Sequence, residues 1–122
     1  MKLATGVDLI EIDRVESVIA RHGPRYVDRV YTATEIEQSG KRSESLAARF
    51  AAKEAASKAL GCGIGEVSFQ EIEVVEDEKG APHLNLHGAA AKKAEELGLT
   101  TWSVSLSHSL NHAIALVVGI GD

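Results

Sequence analysis

Asp8 interrupts a short, β-rich and mostly apolar run, residues 3–12 (LATGVDLIEI), whose pattern otherwise reads as a strand covered on both faces. A carboxylate in that setting must find a partner, take up a proton, or share a divalent cation with a second acid. Residues 46–60 contain such an acid, Glu54, with Lys58 one helical turn later. Alone, Glu54 and Lys58 make a surface (i, i+4) ion pair worth roughly a few tenths of a kcal/mol. If Asp8 finds its partner by sharing a divalent cation with a second carboxylate, Glu54 is a candidate for that acid. The glycine-rich stretch at residues 61–65 (GCGIG) follows a helix and is not succeeded by Lys-Ser/Thr, so it is neither a Walker loop nor a dinucleotide fingerprint. It stops the helix, and its backbone N–H groups beside Lys58 offer a possible phosphate cradle. His108 ends an alternating segment, and with His112 it makes a poor zinc pair because no thiolate or third histidine is near in sequence. Cys62 has no activating base in view and reads as a small buried residue.

The elements that must position these groups follow from periodicity. Asp13 and Glu16 have capping-box spacing, which predicts a helix starting at Asp13 and ending at Gly23-Pro24, where another begins. Thr32 and Glu35 repeat the capping spacing. Ser43 or Ser45 opens the strongest helix, which runs to Leu60 and stops at Gly61. On its wheel Ala48, Ala52, Ala55 and Ala59 share one side, able to approach another backbone closely. Arg49, Lys53, Glu54 and Lys58 fall on the other half, among Leu46, Phe50 and Leu60. Ile72 and Val74, then Leu84 and Leu86, flank the turn cluster at residues 77–80 and predict a hairpin. Residues 89–97 form a helix closed by Gly98. Trp102, Val104, Leu106 and His108 alternate with serines in a strand, and a last strand covers residues 113–120. The order β, several helices, ββ, α, ββ predicts an α+β domain with helices against a largely antiparallel sheet.

The 122 residues suit one domain, residues 1–122, with enough surface to bury that no disulfide or metal staple is needed. Apolar residues at 44% and charged residues at 25% exclude collagen-like, disordered and disulfide-scaffold classes. Thirteen basic against eighteen acidic residues leave a net charge of −5, which disfavours nucleic acid as a partner. The single cysteine and the lack of a signal-like start or an apolar span point to a cytoplasmic protein with no membrane role.

Three blocks carry a resemblance along the whole chain: Gly6-Val-Asp8 with Glu11-Ile-Asp-Arg14; the helix from Arg49-Phe-Ala-Ala-Lys-Glu54 through Lys58 to Gly61; and Ser105-Leu-Ser-His108-Ser109. In order and spacing they resemble the signatures of the holo-acyl-carrier-protein synthases, the small bacterial 4′-phosphopantetheinyl transferases. The resemblance implies a ferredoxin-like α+β fold. It also implies transfer of the phosphopantetheine arm of coenzyme A to a serine of apo acyl carrier protein, in fatty acid biosynthesis, with release of adenosine 3′,5′-bisphosphate. By family pattern Asp8, Glu54 and Lys58 are the catalytic set. Asp8 and Glu54 match the magnesium carboxylates, Lys58 the lysine near the diphosphate, and Arg49 and His108 positions facing the nucleotide end of coenzyme A. Glu54 or a water serves as the base. Chains of this length resemble one half of longer duplicated transferases, which implies a homotrimer with sites between subunits. Carriers of this kind are acidic around the modified serine, which selects Arg14 and Arg21, seven residues apart, as a docking face, with Arg25 and Arg29 beyond the break. The competing view of that face is an ordinary solvated surface partly neutralised by Asp13, Glu16 and Asp28. Two other functions fit the same residues: a transferase for a polyketide or peptide-synthesis carrier, and a noncatalytic coenzyme A-binding module.

Overall fold

The computed structural model describes all residues, Met1–Asp122. β1 (Lys2–Glu11) leads directly into α1 (Ile12–His22), and α2 (Pro24–Val30), α3 (Ala33–Ser39) and the long α4 (Ser43–Ala59) follow. A 3₁₀ turn (Phe69–Glu71) introduces the hairpin β2 (Ile72–Glu76) and β3 (Pro82–Leu86). α5 (Gly88–Leu97), β4 (Thr101–His108) and β5 (His112–Gly121) complete the chain. The predicted α+β order is therefore present, but the strands divide into two sheets, β1-β5-β4 and β2-β3, with β3 packed beside β4 rather than extending its ladder. Every ladder between these strands is antiparallel, and β1 pairs with β5 so that Asp8 stands opposite Ala115.

α4 lies across the inner face of the three-stranded sheet. Its Ala51, Ala52, Ala55, Ala56 and Ala59 are buried with Val104, Ala115 and Val117. Small side chains let the helix sit low, and Gly6 completes the fit: a Cβ there would collide with the carbonyl group of Ala55. The alanine side of the wheel thus makes the close backbone approach that its composition predicts.

Two local expectations fail. Asp13 does not cap α1. The N-cap is Glu11, without a side-chain cap bond, and Asp13 lies in the first turn. The reason is that β1 continues straight into the helix, so the Ile12 N–H donates to the Asn111 carbonyl at 2.9 Å and needs no side-chain acceptor. Nor is β1 covered on both faces. Gly6, Asp8 and Ile10 face α4, whereas Leu3, Val7 and Leu9 point outward and are 51–63% exposed, beside the partly exposed Ile114, Leu116 and Ile120 of β5. The chain supplies one helical layer to a sheet whose edge and centre strands are apolar on two sides. Elsewhere the expected signals hold: Thr32 and Glu35 form a reciprocal capping box, and Gly98 closes α5 in the left-handed conformation.

Candidate active site

The Gly6 contact sets α4 against β1 at the height of Asp8, so the last two turns of the helix run beside that carboxylate. Lys58 reaches over, its Nζ donating to Asp8 Oδ1 at 3.2 Å and to the Val7 carbonyl at 3.0 Å. The ammonium therefore takes the carboxylate of β1 in place of the (i, i+4) pair with Glu54. Burial raises the Glu54 carboxyl above the ordinary glutamate range, the negative charge of Asp8 raises it further, and Lys58 opposes both. Asp8, Glu54 and Lys58 thus act on one another electrostatically, although the (i, i+4) spacing of Glu54 and Lys58 by itself points to a pair between those two alone. No third acid, histidine or cysteine groups with these two carboxylates, so a cation held by them would have to complete its shell with water and phosphate oxygens.

Arg49 sits earlier on α4 and faces a different space. Its side chain is 2% exposed, yet it lines a cleft of about 620 Å³ between the start of α4, the hairpin turn and the end of β4, together with Arg42, Ser45, Glu76, Ser107 and His108. Nη2 donates to Glu76 Oε1 at 2.7 Å, Nη1 donates to the Ser45 hydroxyl, and the buried Nε meets no acceptor. His108 is exposed, with its Nδ1 3.5 Å from the Ser109 carbonyl. Arg49 and His108 are thus brought together, while Lys58 is not part of that cleft. Nine residues of helix place the Lys58 and Arg49 Cα atoms roughly 13 Å apart. A ligand touching both must be extended and anionic at two separated points.

The glycine-rich loop is only a helix stop. The Gly61 N–H donates to Lys58, that of Cys62 to Ser57 and that of Gly65 to Val67, so most of the expected phosphate cradle is already committed within the chain. Cys62 is half-buried, and burial pushes its thiol up, away from reactivity. Arg14 and Arg21 do share a surface, a groove on α1 of about 280 Å³ lined also by Asp13, Ser17 and His22.

Lys53 is the residue whose role the sequence reading missed. It is fully buried, and its Nζ donates to Glu35 Oε1 at 2.7 Å, to the Ile72 carbonyl at 2.7 Å and to the Phe69 carbonyl at 3.0 Å. Glu35 in turn accepts from the Thr32 and Val74 N–H groups. Burial lowers the Lys53 ammonium below the ordinary lysine value, and Glu35 holds it up against that. The knot fastens α3, the 3₁₀ turn and β2 to the residue preceding Glu54. Its only sequence signal was a lysine between Ala52 and Glu54 in the middle of an alanine-rich helix.

Comparison with known proteins agrees with this architecture. The profile described as the 4′-phosphopantetheinyl transferase superfamily matches residues 4–117, and the chain belongs to that superfamily. A holo-[acyl-carrier-protein] synthase of Herpetosiphon aurantiacus is 55% identical over 98% of this chain and 99% of its own length. One from Chloroflexus aurantiacus is 47% identical over 93% and 94%, respectively. Among solved structures, the Helicobacter pylori holo-[acyl-carrier-protein] synthase in complex with coenzyme A superimposes with a TM-score of 0.87 at 35% identity, covering 95% of this chain and 99% of that one. A second synthase–coenzyme A complex, from Chronobacterium ammoniagenes, gives a TM-score of 0.87 at 30% identity, covering 100% and 99%.

Proposed function

We propose that this chain is a holo-[acyl-carrier-protein] synthase, which moves 4′-phosphopantetheine from coenzyme A to a serine of apo acyl carrier protein in fatty acid biosynthesis. The observation that carries the reading is the Asp8–Lys58–Glu54 unit, a mixed-charge seam that opens toward solvent where a diphosphate can enter. The carrier serine oxygen bonds to the β-phosphorus as the bridging P–O bond breaks, and adenosine 3′,5′-bisphosphate leaves with that oxygen. Lys58 lies against the diphosphate and opposes the charge that accumulates on it. Arg49 and His108 hold the nucleotide end, which fixes the phosphorus in line with the incoming hydroxyl. The hydroxyl proton passes to Glu54 or to a water beside it. Asp8 and Glu54 would hold magnesium, which when bound would neutralise charge at the diphosphate.

Arg14 and Arg21 supply the local positive surface that an acidic carrier needs on a protein of net charge −5. The exposed apolar face of β1 and β5 supports a homotrimer in which that face packs against neighbouring copies and sites form between subunits. No helix is long and apolar enough to cross a membrane, and the reading locates the reaction in the cytoplasm. Incubation with coenzyme A, magnesium and an apo carrier tests it: the carrier gains the mass of one phosphopantetheine. A chain that binds coenzyme A but modifies no fatty-acid, polyketide or peptide-synthesis carrier is a binding module instead.

A further inference from the structure

We infer that Glu76 is a built-in counter-anion of the nucleotide cleft: it occupies the Arg49 guanidinium in the free protein and yields it to an anionic group of the ligand. The inference rests on the proposed function, because it takes that ligand to be the nucleotide end of coenzyme A.

The ion pair has one fixed and one movable partner. Arg49 is 2% exposed and anchored at Nη1 by Ser45, whereas the Glu76 side chain is 35% exposed at the end of β2, beside the turn at residues 77–80. The Glu76 backbone is itself held. Its N–H donates to Gln38 Oε1 at 2.8 Å and its carbonyl accepts from Gln38 Nε2 at 3.2 Å, so the carboxylate can swing while the strand stays in place. The guanidinium edge made by Nε and Nη2 is the two-pronged donor that phosphates and carboxylates fill with two oxygens. Here a single oxygen serves it, at Nη2, and Nε is left without an acceptor. A buried guanidinium with half of its fork unfilled is stable enough to persist without ligand and leaves a better bond to be made. Removing Glu76 with nothing in its place leaves a buried charge unpaired, so an incoming anion exchanges for it. The carboxylate therefore stabilises the empty protein and weakens nucleotide binding by the same interaction.

Glu76→Gln keeps the side-chain shape and removes the charge, and Glu76→Asp keeps the charge and withdraws it from Arg49. Binding of coenzyme A and of adenosine 3′,5′-bisphosphate is measured by calorimetry for both variants and the wild type, with thermal melting with and without nucleotide, and with Glu78→Gln on the adjacent turn as the charge control. The expected result is a lower melting temperature for Glu76→Gln without nucleotide, a larger nucleotide-induced rise, and binding about threefold to tenfold tighter. Glu76→Asp falls between it and the wild type, and Glu78→Gln matches the wild type. Glu76 variants that bind equally or more weakly than a wild type that does bind overturn the inference alone, since Glu76 then merely orients Arg49. A wild type that binds neither nucleotide overturns the transferase reading along with it.

Discussion

Lys53 and Lys58 lie five residues apart on α4, and each meets a carboxylate from an earlier element, yet they do opposite things. Lys53 and Glu35 are both fully buried. The three donors of the ammonium each find an oxygen, and both oxygens of Glu35 also serve backbone N–H groups. Lys58 is 55% exposed and Asp8 20% exposed. There Lys58 shares its bonds between Asp8 and the Val7 carbonyl, and the polar bond made by Glu54 is at its backbone carbonyl, to Ser57. A charge whose bonding capacity is filled by the chain is spent on shape. A charge whose capacity is left open is available to a ligand, and one helix carries both kinds side by side.

The sharpest way to break the contrast is to unbalance the closed pair. Lys53→Met leaves Glu35 buried and unpaired, and should cost about 3–5 kcal/mol in urea unfolding. Adding Glu35→Gln restores part of it, because glutamine removes the charge and still accepts one N–H. At the open pair the currency is rate. Asp8→Ala or Glu54→Ala should lower carrier modification by roughly 10²–10³-fold, followed by carrier mass, while the melting temperature holds or rises because like-charge repulsion has been relieved. A mutant of either residue that turns over normally removes it from the reacting centre.

Farther from the seam, Arg14→Glu and Arg21→Glu should raise the apparent KM for an acidic carrier about tenfold at low salt, less at high salt, and leave coenzyme A binding unchanged. Equal carrier kinetics at low ionic strength would move the docking face elsewhere.

The smallest effect concerns a third carboxylate of intermediate character. Burial alone would raise Glu73, but hydrogen bonds from Thr32 and His87 outweigh it and hold the carboxyl below the ordinary glutamate range. Its contribution to stability is therefore complete above that ordinary range and is lost as the pH falls through the depressed native value. Wild type should lose more stability on acidification through that window than Glu73→Gln does, read as the difference in melting temperature between the two. Parallel curves would contradict this.

The open charges were legible in the sequence and the closed ones were not, for a physical reason. Asp8 breaks an apolar pattern, and a broken pattern is visible without knowing what lies opposite. The α4 wheel likewise marked its alanine side as a close-contact face, which Gly6 fulfils. Lys53 lies on the same half of that wheel as Lys58, and only the packing of β2 and the 3₁₀ turn over it decides that it is buried. The split into two sheets and the uncapped start of α1 were hidden for a related reason. Each depends on a partner distant in sequence, Asn111 for Ile12 and the side of β4 for β3, and local periodicity contains no information about either. The outward face of β1 misled differently: its residues are apolar enough for burial, and the layer that would cover them is not in this chain.

The approach of Gly6 to Ala55 also works as a gauge block. Where helix and sheet are spaced by long side chains, the gap between them can breathe as rotamers change. Here backbone rests on backbone, and hard atoms in contact yield little to pressure or thermal motion. The distance between the strand bearing Asp8 and the turn bearing Glu54 is thus fixed by the least deformable part of the molecule. All adjustment at the seam falls to the side chains of Asp8, Glu54 and Lys58, so tuning for different ligands runs through their reach and leaves the frame unmoved.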